Sequence, residues 1–272
     1  MLPAPTCAAS RALVAEIDDA LLPATGLAAL LDAAHRVRRR PDLVRSRLAF
    51  LLSHPERLAE VAGRAYWHSN GFAKIKLLHG RGFTVRLHIW PASTGRGEVN
   101  PHGHRWEFAS WILTGAGMSE AYYESVESSH TDATPYTRCD YGPGQLRPVG
   151  DASLRVQQVV RRPAGTVYTC TLDALHTVAP IGDGLVATVV LQGPALIHSA
   201  RVFVRTDPGP EPAPRPIPQD ELCELLHLVD AAFIEEQDAT RLDATVGPPR
   251  ETPAVSASQS RDQLGAVAEP TR

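Results

Sequence analysis

Residues 100–115 read NPHGHRWEFASWILTG. Two imidazoles, His102 and His104, flank one glycine directly after Asn100-Pro101 and directly before an apolar run. Along an extended chain, positions i and i+2 project from one face. The pair can therefore present two nitrogens to one ion at ~2.0–2.2 Å. A solvated turn would use the same residues, so a third donor from elsewhere has to decide. Pro101 and Gly103 suit a bent strand entry, and FASWILTG reads as the strand that follows.

Similar runs lie on either side. FAKIKLL (72–78), FTVRLHIW (83–90), GTVYTC (165–170) and LVATVVLQG (185–193) are short and rich in β-branched and aromatic residues. Turns containing Gly80, Gly82, Pro91, Gly95, Gly115, Gly142, Pro143, Gly144, Gly182 and Gly184 separate them. No helix-length repeat intervenes, which predicts an antiparallel barrel or sandwich over residues 70–206.

Residues 1–69 form an N-terminal extension, with helical periodicity over 10 to about 66. Ser10 is a candidate cap for a first helix, which stops before Pro23. Leu27, Leu30, Leu31 and Ala34 share a face of a second. Ser53 and Glu56 stand at capping-box spacing with Pro55 in the first turn, and Gly71 is a candidate terminator. Residues 207–242 combine a Pro-rich linker with a helix that places Leu222, Leu225, Leu226 and Val229 on one face. From 243 to 272 the composition predicts a disordered tail.

With 27 basic and 30 acidic residues in 272, the net charge of -3 gives no field to attract nucleic acid or an anionic membrane. The basic group Arg36, Arg38, Arg39 and Arg40 sits at a helix end, where cations offset the dipole. No apolar stretch is long enough to span a membrane and no secretory signal is evident. Cys7, Cys139, Cys170 and Cys223 follow no C-x-x-C or zinc spacing, so a reduced, cytoplasmic protein is expected.

Among the other histidines, His35, His54, His68 and His227 fall in segments read as helical, and His79 and His130 in turns. His88 and His198 stay open. His176, in PAGTVYTCTLDALHTVAP (163–180), is the best placed third donor.

In this order the chain resembles the cupin superfamily, whose H-x-H and a lone downstream histidine converge inside a jelly-roll barrel. The resemblance implies an all-β cupin barrel with a helical extension and a Pro-rich tail, and a metal held by His102, His104 and His176. Most cupins add a glutamate with three or four residues intervening. Here Glu107 follows after only two, which turns it to the opposite face of a regular strand unless a bulge restores the phase. Glu107 is thus an alternative fourth ligand. The same trio could also be hydrogen-bonded barrel histidines without metal.

Within the superfamily the chain resembles the thiol dioxygenases, cysteine dioxygenase in particular. The matching motifs are FTVRLHIWP, LTGAGMSEAYY with Leu113, Gly115, Glu120 and Tyr123, YTCTLDALHTV, and VVLQGP. That likeness implies iron(II), dioxygen and a small organic substrate. Three histidines leave open positions on such an ion. Two departures argue against cysteine as substrate. The family's histidine–tyrosine pair after the third ligand falls near Val189 and Leu191, and its carboxylate-binding arginine near Lys74, a point charge that cannot make the two-pronged contact.

Lys74, Arg86, His88 and Tyr168 are the candidate substrate-binding residues. In FTVRLHIW, Arg86, His88 and Trp90 alternate with Val85, Leu87 and Ile89, so one set lines the lumen. If it is the basic set, Arg86 and His88 can hold an anionic group. Ordinary alternation would put that set outside in water. Trp111, Tyr122 and Tyr168 fit core positions as well as pocket walls. The expected function is a mononuclear iron(II) oxygenase. A redox-neutral isomerase, epimerase or lyase using zinc, nickel or manganese, and a non-catalytic binding module, are the alternatives. A homodimer is compatible with the resemblance.

Overall fold

The computed structural model describes residues 7–22, 25–92, 97–142, 145–205 and 214–245. Most of the Pro-rich linker and the tail beyond Thr245 lie outside them. Four helices open the chain: α1 (Ala8–Leu21), α2 (Leu27–Arg39), α3 (Pro41–Ser53) and α4 (Pro55–Ala62). Twelve strands follow: β1 (Tyr66–Trp67), β2 (Ala73–Gly80), β3 (Phe83–Trp90), β4 (Phe108–Thr114), β5 (Met118–Val126), β6 (Thr134–Gly142), β7 (Gln145–Arg162), β8 (Val167–Cys170), β9 (His176–Pro180), β10 (Val186–Gln192), β11 (Ala200–Arg205) and β12 (Arg215–Pro216). The last element is α5 (Gln219–Thr245).

The helix boundaries depart from the sequence reading for local reasons. Cys7 caps α1, its sulfur accepting from the Ser10 N–H at 3.3 Å. Ser53 does not cap α4. Its hydroxyl donates back to the Ala49 carbonyl at 2.8 Å and so belongs to the end of α3. Pro55, which has no N–H to offer, opens α4 at its first turn. Gly71 ends no helix. It forms a tight turn between β1 and β2, with φ of 81° and its N–H on the His68 carbonyl. That left-handed conformation is open to glycine at little cost.

All strand pairs are antiparallel and form two sheets, ordered β12-β1-β2-β3-β10-β4-β8 and β11-β6-β7-β5-β9. The antiparallel architecture expected from the short runs is present, and it is joined by a substantial helical layer. Strand β10 inserts between β3 and β4, so the C-terminal half of the chain completes the sheet begun by the N-terminal half.

The register sets inward-facing rows across the larger sheet. Lys74 stands beside His88 and His88 beside Thr188, while Arg86, Val190, Ser110 and Tyr168 form the next row. The opposite faces of these strands are aliphatic and fully covered. Val85, Leu87 and Ile89 pack in one core with Leu30 and Val37 of α2, Leu48 of α3, and Leu222, Leu226 and Val229 of α5. The helices therefore cover the outer wall of the sheet, and the polar face of β3 turns to the interior. Polar-out alternation presumes water on the outer side, and here helices occupy it.

Trp111 belongs to this outer core, edge-on to Phe233 of α5 with ring centroids 5.8 Å apart. Ile89 is fully buried in it. Ile89→Val should cost about 1 kcal/mol, the usual loss for one buried methylene, read as a lowered urea midpoint at unchanged slope. Among the described residues, no helix is long and apolar enough to cross a membrane.

Candidate metal centre

The two histidines of the H-x-H lie on an irregular extended segment between β3 and β4, locked in place by backbone pairing. His102 and His176 exchange both backbone hydrogen bonds, 3.0 Å and 3.1 Å, as a bridged antiparallel pair. On the other side the Gly103 N–H reaches the Arg201 carbonyl at 2.8 Å. Gly103 threads a narrow gap, where an added Cβ would meet the Ala174 carbonyl at 3.3 Å. A chain held this way carries His102 and His104 into the space where β9 begins with His176.

The three rings form a nearly equilateral set, with centroids 5.0, 5.2 and 5.1 Å apart. One donor nitrogen from each lies within 4.8 Å of the others, a group that can hold a metal ion. The His104 and His176 Nε2 atoms are 2.9 Å apart. Two nitrogens ~2.1 Å from one ion and at right angles to each other would be ~3.0 Å apart. The donor set suits an ion held by His102, His104 and His176 at the cavity they line.

The tautomers suit ligation as well. His176 is only 2% exposed, and its Nδ1 contacts Glu120 Oε1 at 2.6 Å, which leaves Nε2 for the ion. His102 Nδ1 contacts the Asn100 carbonyl at 3.1 Å. Burial, countered in part by Glu98, holds His102 below the usual imidazole range. Burial together with His102 and His176 holds His104 well below it. Both shifts favour the neutral ring that a ligand must present.

Glu120 is 1% exposed and also accepts from Arg162 Nε at 2.9 Å, while Arg162 Nη2 reaches the Tyr122 hydroxyl. Burial alone would raise the Glu120 pKa. The hydrogen bonds from His176, Tyr122 and Arg162 outweigh it and keep the carboxyl ionised below its ordinary value.

The predicted site residues sort clearly. Lys74, Arg86, His88 and Tyr168 line the same cavity as the three histidines. Glu107 does not join them. Its carboxylate lies toward Gly26 and lines a separate pocket with Leu30 and Pro194. The odd offset from His104 turns it away, and no bulge restores the phase.

Val189 and Leu191, near which the family's histidine–tyrosine pair falls, do not line the cavity. Both pack in the helix-covered core, and Thr188 and Val190 face the cavity instead. The lumenal positions of β10 still carry neither histidine nor tyrosine.

Sequence reasoning missed His68, Glu98 and Trp106. His68 sits in the β1–β2 turn, stacked on Phe72 with centroids 4.9 Å apart, and burial beside Lys74 pushes its pKa down to about 3. Glu98 Oε2 accepts the Val178 N–H at 2.9 Å and lies 3.9 Å from His102 Nδ1.

The cavity holds about 70 Å³, several times the ~10–15 Å³ that one water needs on the same measure. Burial and the neighbouring Arg86 push Lys74 down to about 7. In the metal-free protein this group binds its proton less tightly folded than unfolded, so stability should rise with pH between about 7 and 10.5. Urea unfolding at pH 7.5 and 9.5 checks this. Wild type gains on Lys74→Met over that interval, and parallel behaviour would contradict the assignment.

No family model matches the chain, and no curated protein matches it. Solved structures give weak matches. A cupin domain from Bordetella pertussis is 14% identical over 46% of this chain and 95% of its own, with a TM-score of 0.27. A cupin superfamily protein from Desulfitobacterium hafniense is 13% identical over 47% and 81%, with a TM-score of 0.26. The iron(II) form of HppE is 11% identical over 44% and 49%, with a TM-score of 0.25. Likeness at this level carries no argument about activity, which rests on the site itself.

Proposed function

We propose that this chain is a cupin jelly roll and a mononuclear non-haem iron(II) oxygenase acting on a small organic molecule other than cysteine. The observation that carries the reading is the convergence of His102, His104 and His176 on one point in a lined cavity. His102, His104 and His176 would hold the iron(II), which would supply the redox chemistry between a small organic molecule and dioxygen.

The chain's own residues would do the rest. Glu120 and Arg162 orient His176, and Phe72, Val178 and Val190 exclude water. Arg86 and Lys74 position the substrate. The four cysteines are free, in keeping with a reducing compartment such as the cytoplasm.

The test is to load the protein with iron(II) under argon and add nitric oxide. The reading predicts the spin-3/2 iron–nitrosyl signal, and a fully loaded protein that never gives it overturns the oxygenase. One observation favours a second reading. Glu98, a carboxylate beside the trio, is placed as a proton acceptor for a redox-neutral isomerase, epimerase or lyase using zinc, nickel or manganese as a Lewis acid. Turnover that persists without dioxygen would select it.

A further inference from the structure

We infer that the substrate is a small carboxylate without an ammonium group, held by Arg86 and Lys74 on the β2–β3 wall. The inference deepens the proposed function, on which the placing of the substrate's other end rests. Arg86 is only 8% exposed, yet its Nε finds no hydrogen-bond partner. Among the described residues neither Arg86 nor Lys74 has an acid within ion-pair reach. Two more cavity-lining nitrogens, Trp90 Nε1 and His88 Nε2, are buried without partners.

A guanidinium taken from water without an acceptor is costly, and such groups persist where they serve a ligand. One lining acceptor, Gln192 Oε1, is also buried without a partner, and the unpartnered nitrogens outnumber it. The one carboxylate in the lining, Glu98, already takes the Val178 N–H and sits beside His102. A planar anion supplies acceptors for Arg86 Nε and Trp90 Nε1, whereas an ammonium would bring a further positive charge beside the unpaired Arg86 guanidinium.

The geometry also sets the reach. The Arg86 guanidinium lies over the Trp106 ring at 5.3 Å, and that ring is 6.1 Å from His104. The Trp106 ring thus adjoins both the guanidinium and the imidazole trio, and all of them line one cavity.

Three two-carbon alcohols test this on metal-free full-length protein: glycolate, ethylene glycol and ethanolamine. They share a hydroxyl end and differ in the charge of the other. The expected result, read by titration calorimetry and ligand-observed NMR, is that glycolate binds at least tenfold tighter than either competitor. Arg86→Met should weaken glycolate at least tenfold without lowering the melting temperature of the ligand-free protein. Arg86→Lys, which keeps the charge but not the fork, should recover only part of the affinity.

Glycolate that fails to bind, an equal affinity for ethanolamine, or full affinity in both variants overturns the inference. Metal content is measured on separate samples. A wild-type protein that takes glycolate but no metal would sink the proposed enzyme and leave the anion site standing.

Discussion

His176→Ala should abolish stable metal binding, lowering affinity by more than the ~10–100-fold that loss of an outer-shell partner costs. The reason is positional. His176 is the donor contributed by β9, and it is the one ring held by a buried carboxylate, with Nδ1 on Glu120 at 2.6 Å. Alanine keeps the backbone exchange with His102, because that pairing uses only main-chain atoms. The variant should therefore fold, and equilibrium dialysis against iron(II) or zinc reads the loss directly. Unchanged metal content would show that the two remaining imidazoles suffice, and the site would be something other than a three-nitrogen centre.

Arg162→Met should destabilise the fold by about 3 kcal/mol, toward the lower end of the ~3–5 kcal/mol typical when a buried charge loses its partner. Glu120 is almost fully enclosed and would keep only His176 and Tyr122. The sign of the pH dependence follows from its lowered pKa. The stabilisation is present above the unfolded carboxyl range and disappears as pH falls through the folded value. Wild type and variant should thus differ in urea midpoint at pH 7 and converge in acid. Equal midpoints at neutral pH would mean that solvent replaces the guanidinium at no cost.

The histidine trio was readable because its signal is chemical as well as periodic. An H-x-H projects two donors at one point, and few other histidines fell in strand-like segments. The double antiparallel sheet was readable from short β-branched runs between glycine turns. The orientation of β3 was not. FTVRLHIW reads equally well with either face inward, and only the packing of Leu30, Leu48 and Leu226 against Val85, Leu87 and Ile89 decides it. Those helices lie far from β3 in sequence, and no local pattern shows that they cover its outer wall.

His68 escaped notice because the capped helical pattern before it runs on into Ala65, while the tight turn at Gly71 converts that stretch to a strand pair. Glu98 lay in a loop with no periodicity to assign a direction. Its role becomes visible only through the cross-chain bond to the Val178 N–H. On β10 a shift of one residue exchanges the two faces, so a position known only as near Val189 and Leu191 could not say which residues line the cavity.

X-ray absorption of the metal-loaded protein tests the central claim most directly. The account predicts a first shell containing three imidazole nitrogens at ~2.0–2.2 Å, with the outer-shell scattering of three histidine rings, falling to two in His176→Ala. A first shell with fewer than three imidazoles in the wild-type protein, or one dominated by sulfur or carboxylate, would contradict it.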